Sequence, residues 1–203
     1  MNVRLAKFIA IVFHPAFATT VIFLLLGKYY LIPLGGSQYL SFIGIIFVIT
    51  VLFPLIFIIL LRRMSFVKSF ELDLRQDRFA PYILSTAIYG CTAYSFYQSG
   101  AFGMPAAYTM MNLTALLATL LVVNFFYKVS AHAAGMGGIC GLWFAFAYYF
   151  VSIDALWGAV LSIVLSGLVL TSRLATNSHG FGQLFLGWFL GFVSVFSIFE
   201  WLR

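Results

Sequence analysis

The sequence predicts an all-α protein, a polytopic transmembrane helical bundle of six to seven spans. Composition comes first: 64% of the residues are apolar and only 8% are charged, against about 25% charged in a soluble domain. Length is second. Uncharged runs cover 8–27, 29–61, 79–127, 129–153 and 174–199. A hydrocarbon core about 30 Å thick needs roughly 20 helical residues, so several runs span and the two longest must span twice. Third, spanning strands would require short segments of alternating polarity instead.

Taken in order, the expected spans are 9–32, 39–61, 80–97, 106–127, 133–151, 155–171 and 182–201. Pro15 sits near the start of the first, which can equally begin at that residue. "LGGSQ" at 34–38 carries the turn chemistry that separates the first two spans. Pro54 lies inside the second and predicts a kink there. The one polar island, "RRMSFVKSFELDLRQDR" at 62–78, holds five of the eleven basic residues and three of the five acids. "QSGAFGMP" at 98–105 divides the longest run. Later in the chain, Gly137-x3-Gly141 and Gly187-x3-Gly191 have the small-residue spacing of closely packed membrane helices. The aromatic run "WFAFAYYF" at 143–150 reads as lipid-facing or core packing. Cys91 and Cys140 read as small buried residues, with no metal-ligand spacing. Nothing resembles a cleavable leader at 8–27, which continues directly into further membrane segment.

With seven spans, nine of the eleven bases fall on one side together with all three histidines. Only Lys28 and Arg203 lie opposite. Excess Lys and Arg marks the cytoplasmic side. Bases that bind a ligand do not report topology, however, and removing them leaves four against two, a slight preference. The expected location is an integral membrane protein, in a bacterium the inner membrane, with the basic side cytoplasmic.

Ionisable groups at membrane depth are costly and point to function. On the basic side they form three groups: Arg75 with Arg78; Lys128, Ser130 and His132; and Ser172, Arg173 and His179. Cations, hydroxyls and imidazoles together suit an anion rich in acceptor oxygens, such as phosphate. Arginine grips such oxygens with two N–H donors, and lysine acts as a point charge. Two histidines then divide the labour. One attacks phosphorus to form a phosphohistidine, and the other protonates the departing oxygen. The cations stabilise the transition state, so neither metal nor cofactor is required. Each residue also has a plainer reading. His14 reads as a helix-start or interfacial histidine, Lys128 as a side chain snorkelling at a span end, and Arg62 and Arg63 as headgroup anchors.

These residues resemble the three motifs of the type 2 phosphatidic acid phosphatase superfamily of membrane lipid phosphatases, K-x6-R-P, P-S-G-H and S-R-x5-H-x3-D. "SRLATNSHGFGQ" matches the third at Ser172, Arg173 and His179 but ends on Gln183 instead of aspartate. "VSAH" keeps Ser130 and His132 of the second. The first has two assignments, Lys68-x6-Arg75 followed by Gln76, or Arg78 close to Pro81. The resemblance covers about 68–191 of a single transmembrane domain, 1–203. It implies a metal-independent hydrolysis of a lipid phosphate or diphosphate, with His179 as nucleophile and His132 as general acid. Arg173, Ser130, Ser172, Lys68, Arg75, Arg78 and Lys128 would hold phosphate oxygens, and Gln183 would orient His179 from the same helix face. The implied partners are membrane lipids and an anionic lipid phosphate, with no nucleic acid.

Two alternatives stay open. Gln183 supplies no negative charge, so the chain is also readable as a member that binds or moves lipid phosphates without hydrolysing them. Asp73 and Asp77, with Glu71, have the D-x3-D spacing of Mg²⁺-dependent membrane prenyltransferases. Those enzymes need a second acidic motif, and only Asp154 and Glu200 remain to make one.

Overall fold

The computed structural model describes residues 1–29, 34–67 and 74–201, and the described residues form helices and no strands. In order these are α1 (Val3–Val12), α2 (Pro15–Tyr29), α3 (Gly36–Phe47), α4 (Phe53–Arg63), α5 (Phe79–Ser99), α6 (Gly103–Asn124), α7 (Ala131–Phe150), α8 (Ile153–Ala175), α9 (Phe181–Phe196) and the short α10 (Ile198–Trp201). Among the described residues, five helices are long and apolar enough to cross a membrane: Gly36–Arg63, Gly103–Asn124, Ala131–Phe150, Ile153–Ala175 and Phe181–Glu200. A sixth arises if α1 and α2, bent by 46°, form one span. The chain is thus a polytopic all-α membrane protein, at the lower end of the expected count. The expected span at 80–97 does form a helix of 21 residues. Its serines, threonines and tyrosines leave it less apolar than the other five.

The two proline expectations resolve differently. The first span is broken at Phe13–His14, where Pro15 opens a new helix. The second is not interrupted at Pro54. A proline cannot donate to the carbonyl four residues back, and the chain answers with a π-helical turn, Val48–Leu52, in which Phe53 N–H reaches Val48 O. Helix then continues to Arg63.

The helices group into two compact units, 1–18 with 129–203, and 19–128. In the second, α5 and α6 pack along their lengths. They are joined at "SGAFG", where Gly100 and Gly103 adopt left-handed φ of 60° and 77°. Within the same unit Thr19 hydrogen-bonds Tyr89 at 3.0 Å, and Tyr39 lies over Gly27 and donates to Leu24 O at 2.9 Å. Cys91 on α5 is exposed, contrary to the expectation of a buried small residue. An apolar solvent tolerates a thiol at a helix surface as well as a core does.

In the first unit α7 is central, with α9 and α8 against it and α1 against α8. The small-residue spacing explains how closely α7 and α9 approach. A Cβ on Gly137 would fall 2.0 Å from Trp188 O, on Gly141 2.4 Å from Phe192 O, on Gly187 2.5 Å from Ser130 O and on Gly191 2.0 Å from Ala134 O. These are backbone contacts, which only glycine permits. Because 130 meets 187 and 134 meets 191, the two helices run parallel and their N-termini lie at one end. The antiparallel α8 brings its C-terminus to that same end. The aromatic run at 143–150 divides by helix face: Phe146 is buried edge-on against Phe199, whereas Tyr148 is exposed.

Gly191→Ala is therefore expected to separate α7 from α9, at the cost of about 1–3 kcal/mol typical of overpacking. Gly167→Ala on α8, where nothing lies within 4 Å of the new Cβ, is the control. Melting of the detergent-solubilised variants checks this, and equal stability of the two would contradict the backbone contact.

Candidate functional site

The site is built at the shared end of α7, α8 and α9. Helix α8 places Arg173 in its last turn, 4% exposed, beside the fully buried Ser172. The helix then closes by a left-handed turn. Asn177 takes φ 52°, and Ser178 N–H reaches back to Arg173 O at 3.2 Å. Asparagine tolerates that conformation better than any residue but glycine. The turn delivers His179, also buried, directly in front of Gly180, the N-cap of α9.

Gln183 sits at the third position of α9, and its Oε1 lies 3.0 Å from His179 Nδ1 and 3.3 Å from Gly180 N. The backbone N–H of Gly180 can only donate, so the shared side-chain atom is the amide oxygen. An amide oxygen can only accept, so Nδ1 of His179 carries the proton. In the neutral ring the lone pair is then on Nε2. The same residue ties α9 to α7, because Ser130 N–H donates to Gln183 O at 3.2 Å.

At the start of α7, Ser130 is the N-cap and is fully buried. Its Oγ accepts from Ala133 N at 3.3 Å. Sequence reading assigned this hydroxyl to phosphate; the fold also gives it a capping task. Two residues on, His132 is half-buried, with Nε2 3.0 Å from Ala10 O. His14 occupies the break between α1 and α2, and its Nδ1 accepts from Ala16 N at 3.3 Å. The helix-start reading of His14 thus holds. Its ring meets that of His132 edge-on with centroids 5.5 Å apart. The Arg173 charge acts on both rings, and His179 lies within electrostatic reach of His132. One cation and three imidazoles therefore converge beside two helix N-termini, whose partial positive charge and N–H groups favour an anion.

Other expected ligands are engaged locally. Ser172 Oγ donates to Val169 O at 2.7 Å inside α8. In the second unit, the exposed Arg75 donates from Nη1 to Phe125 O at 3.0 Å, while Arg75 O accepts from Asn124 at 3.1 Å, so this arginine closes the C-terminus of α6. Arg78 is buried and hydrogen-bonded to the Tyr82 hydroxyl. Lys128 is half-buried at the unit's end. Lys68, and Glu71 and Asp73 of the Mg²⁺ alternative, lie outside the described residues. Among the described residues, no three His, Cys, Asp or Glu side chains are grouped to hold a metal ion.

For His14 the sequence favours a helix-start role over a substrate contact, and it does not point to the Ala10 carbonyl, yet both adjoin His132. The available signal was the "FHP" break inside the first span, since a freed carbonyl seeks a donor. Ser130→Ala should cost about 1 kcal/mol of stability through loss of the cap, measurable as a lower melting temperature. Replacement by Asn, which also caps, should restore it. No protein-family model, curated protein or solved structure matches the chain.

Proposed function

We propose that the chain is a membrane-embedded, metal-independent phosphatase that hydrolyses a lipid phosphate or diphosphate through a phosphohistidine. The observation that carries this reading is the His179 Nδ1–Gln183 Oε1 contact beside the buried Arg173. With the proton held on Nδ1, the Nε2 lone pair of His179 is the nucleophile in this reading. Nε2 attacks phosphorus and the ester or anhydride oxygen departs, taking a proton from His132. Water then cleaves the P–N bond with His132 acting as base, which restores both rings. Arg173 offsets the charge on the equatorial oxygens. The Ser130 hydroxyl, whose oxygen already accepts from Ala133, has its own proton to donate to them. The substrate's tails remain in lipid, and the motif side faces the cytoplasm in this reading.

One observation favours a second reading, a protein that binds lipid phosphate without turnover. Gln183 offers a neutral oxygen, shared with Gly180 N–H, where a carboxylate would stabilise the charge that develops on His179. Loss of the equivalent carboxylate in a serine protease costs about 10⁴ in rate, chiefly through the wrong tautomer. Here the tautomer is kept, so the deficit should be smaller.

Purified protein should release inorganic phosphate from phosphatidate, phosphatidylglycerol phosphate or a polyprenyl diphosphate in the presence of chelator, and His179→Ala should abolish it. Release that persists in that variant rules out the histidine nucleophile. Binding without release by the wild type supports the second reading. Gln183→Glu keeps the side-chain length and puts a carboxylate oxygen at the same place. Its turnover should rise by about tenfold or more, within the 10⁴ limit set above, whereas Gln183→Leu should lose both tautomer control and activity.

A further inference from the structure

We infer that the break between α1 and α2 is a positioning device for His132, in which the carbonyl of Ala10 fixes the ring so that Nδ1 is its working nitrogen. The inference rests on the phosphatase reading only for what that nitrogen does.

In an unbroken helix Ala10 O would accept from residue 14 and Ile11 O from residue 15. Residue 15 is proline and has no N–H. His14 N–H takes Ile11 O instead, at 3.2 Å, and Phe13 N–H takes Ile9 O, at 2.9 Å. Ala10 O is thereby released from its helical donor, and His132 Nε2 lies 3.0 Å from it. A carbonyl only accepts, so Nε2 carries the hydrogen and Nδ1 is left to exchange a proton.

Two further contacts hold the break in place. The ring of His14 caps α2 through Ala16 N and stands at 82° to the ring of His132. Gly135, three residues along α7 from His132, has no side chain where the first turn of α2 arrives. A Cβ there would lie 3.0 Å from Ala18 Cβ and 3.6 Å from Pro15 Cα. Proline, histidine and glycine together seat the freed carbonyl against the imidazole. In the reaction, Nδ1–H would pass its proton to the leaving oxygen as the P–O bond breaks, and the ring, still bonded to Ala10 through Nε2–H, would become neutral. Nδ1 would take a proton back from the attacking water. Ala10, His14 and Pro15 are positioning residues throughout, since none of them is asked to touch the substrate.

The test is ¹⁵N NMR of histidine-labelled full-length protein in lipid nanodiscs, with the His132 signals assigned by their loss in His132→Gln. At a pH where the ring is neutral, the wild type should show a single tautomer with the proton on Nε2. Pro15→Ala restores an N–H to residue 15 and should give a tautomer mixture, with kcat on a lipid phosphate falling about 10–100-fold, as when a metal-bound histidine loses the partner that orients it, and KM little changed. A proton on Nδ1 in the wild type, or an unchanged tautomer in Pro15→Ala, overturns the inference. If Pro15→Ala does not fold, His132→Gln decides. Its amide can donate to Ala10 O, so it should melt near the wild type while His132→Ala melts lower, and equal melting of the two overturns the bond. A wild type that hydrolyses no lipid phosphate defeats the phosphatase reading, and the tautomer still decides the positioning.

Discussion

The backbone-to-backbone seam between α7 and α9 is the constraint on which the rest of the first unit depends. Four glycines remove every Cβ that would hold the helices apart, and their register makes the helices parallel. Two parallel membrane helices adjacent in sequence need a third to return the chain, and α8 supplies it. The geometry then follows from connectivity alone. The N-termini of α7 and α9 and the C-terminus of α8 share one end, where Ser130, His132, Arg173 and His179 meet. Lipid offers no hydrophobic drive for helices to associate, so close packing of small residues does here what an apolar core does in water.

Much of this was legible beforehand. The long uncharged runs marked the helices, the small-x3-small pairs marked the seam, and the spacing of His179 and Gln183 marked their contact, although His179 lies in the turn before the N-cap of α9 and not on its helical face. The turn between α8 and α9 was not legible, because a left-handed asparagine is a weak local preference that the surrounding packing must select. The helix at 80–97 was legible from its lack of charge, while its hydroxyls make it less apolar than the five that qualify on length and composition. Pro15 and Pro54 show why proline alone is a poor guide. Both remove a donor, but one chain segment breaks and leaves the Ala10 carbonyl to His132, while the other widens into a π turn.

Several polar groups of the site serve the fold and the chemistry at once. Ser130 caps a helix with the oxygen whose proton faces a different task. Gln183 closes the first turn of α9, sets a tautomer and, through its own carbonyl, receives the backbone of α7. A change at either residue therefore perturbs helix ends and site together, and stability must be measured beside activity before a role is assigned. Arg75 makes the complementary point. Its position in a charged motif invited a ligand assignment, while its guanidinium spends one donor on the end of α6.

The division of the chain into 1–18 with 129–203 on one hand and 19–128 on the other has a consequence for biosynthesis. The second unit is a continuous stretch, able to pack as soon as it leaves the ribosome. The first is interrupted by it, so α1 and the Ala10 carbonyl enter the membrane long before their partners on α8 and α7 exist. During that interval the early helix waits without them, and the three-histidine cluster can form only once α7 and the turn that carries His179 have been made. A defect in the second unit is thus exposed early in synthesis, whereas a defect at Gly187 or Gly191 is exposed only once α9 has been made.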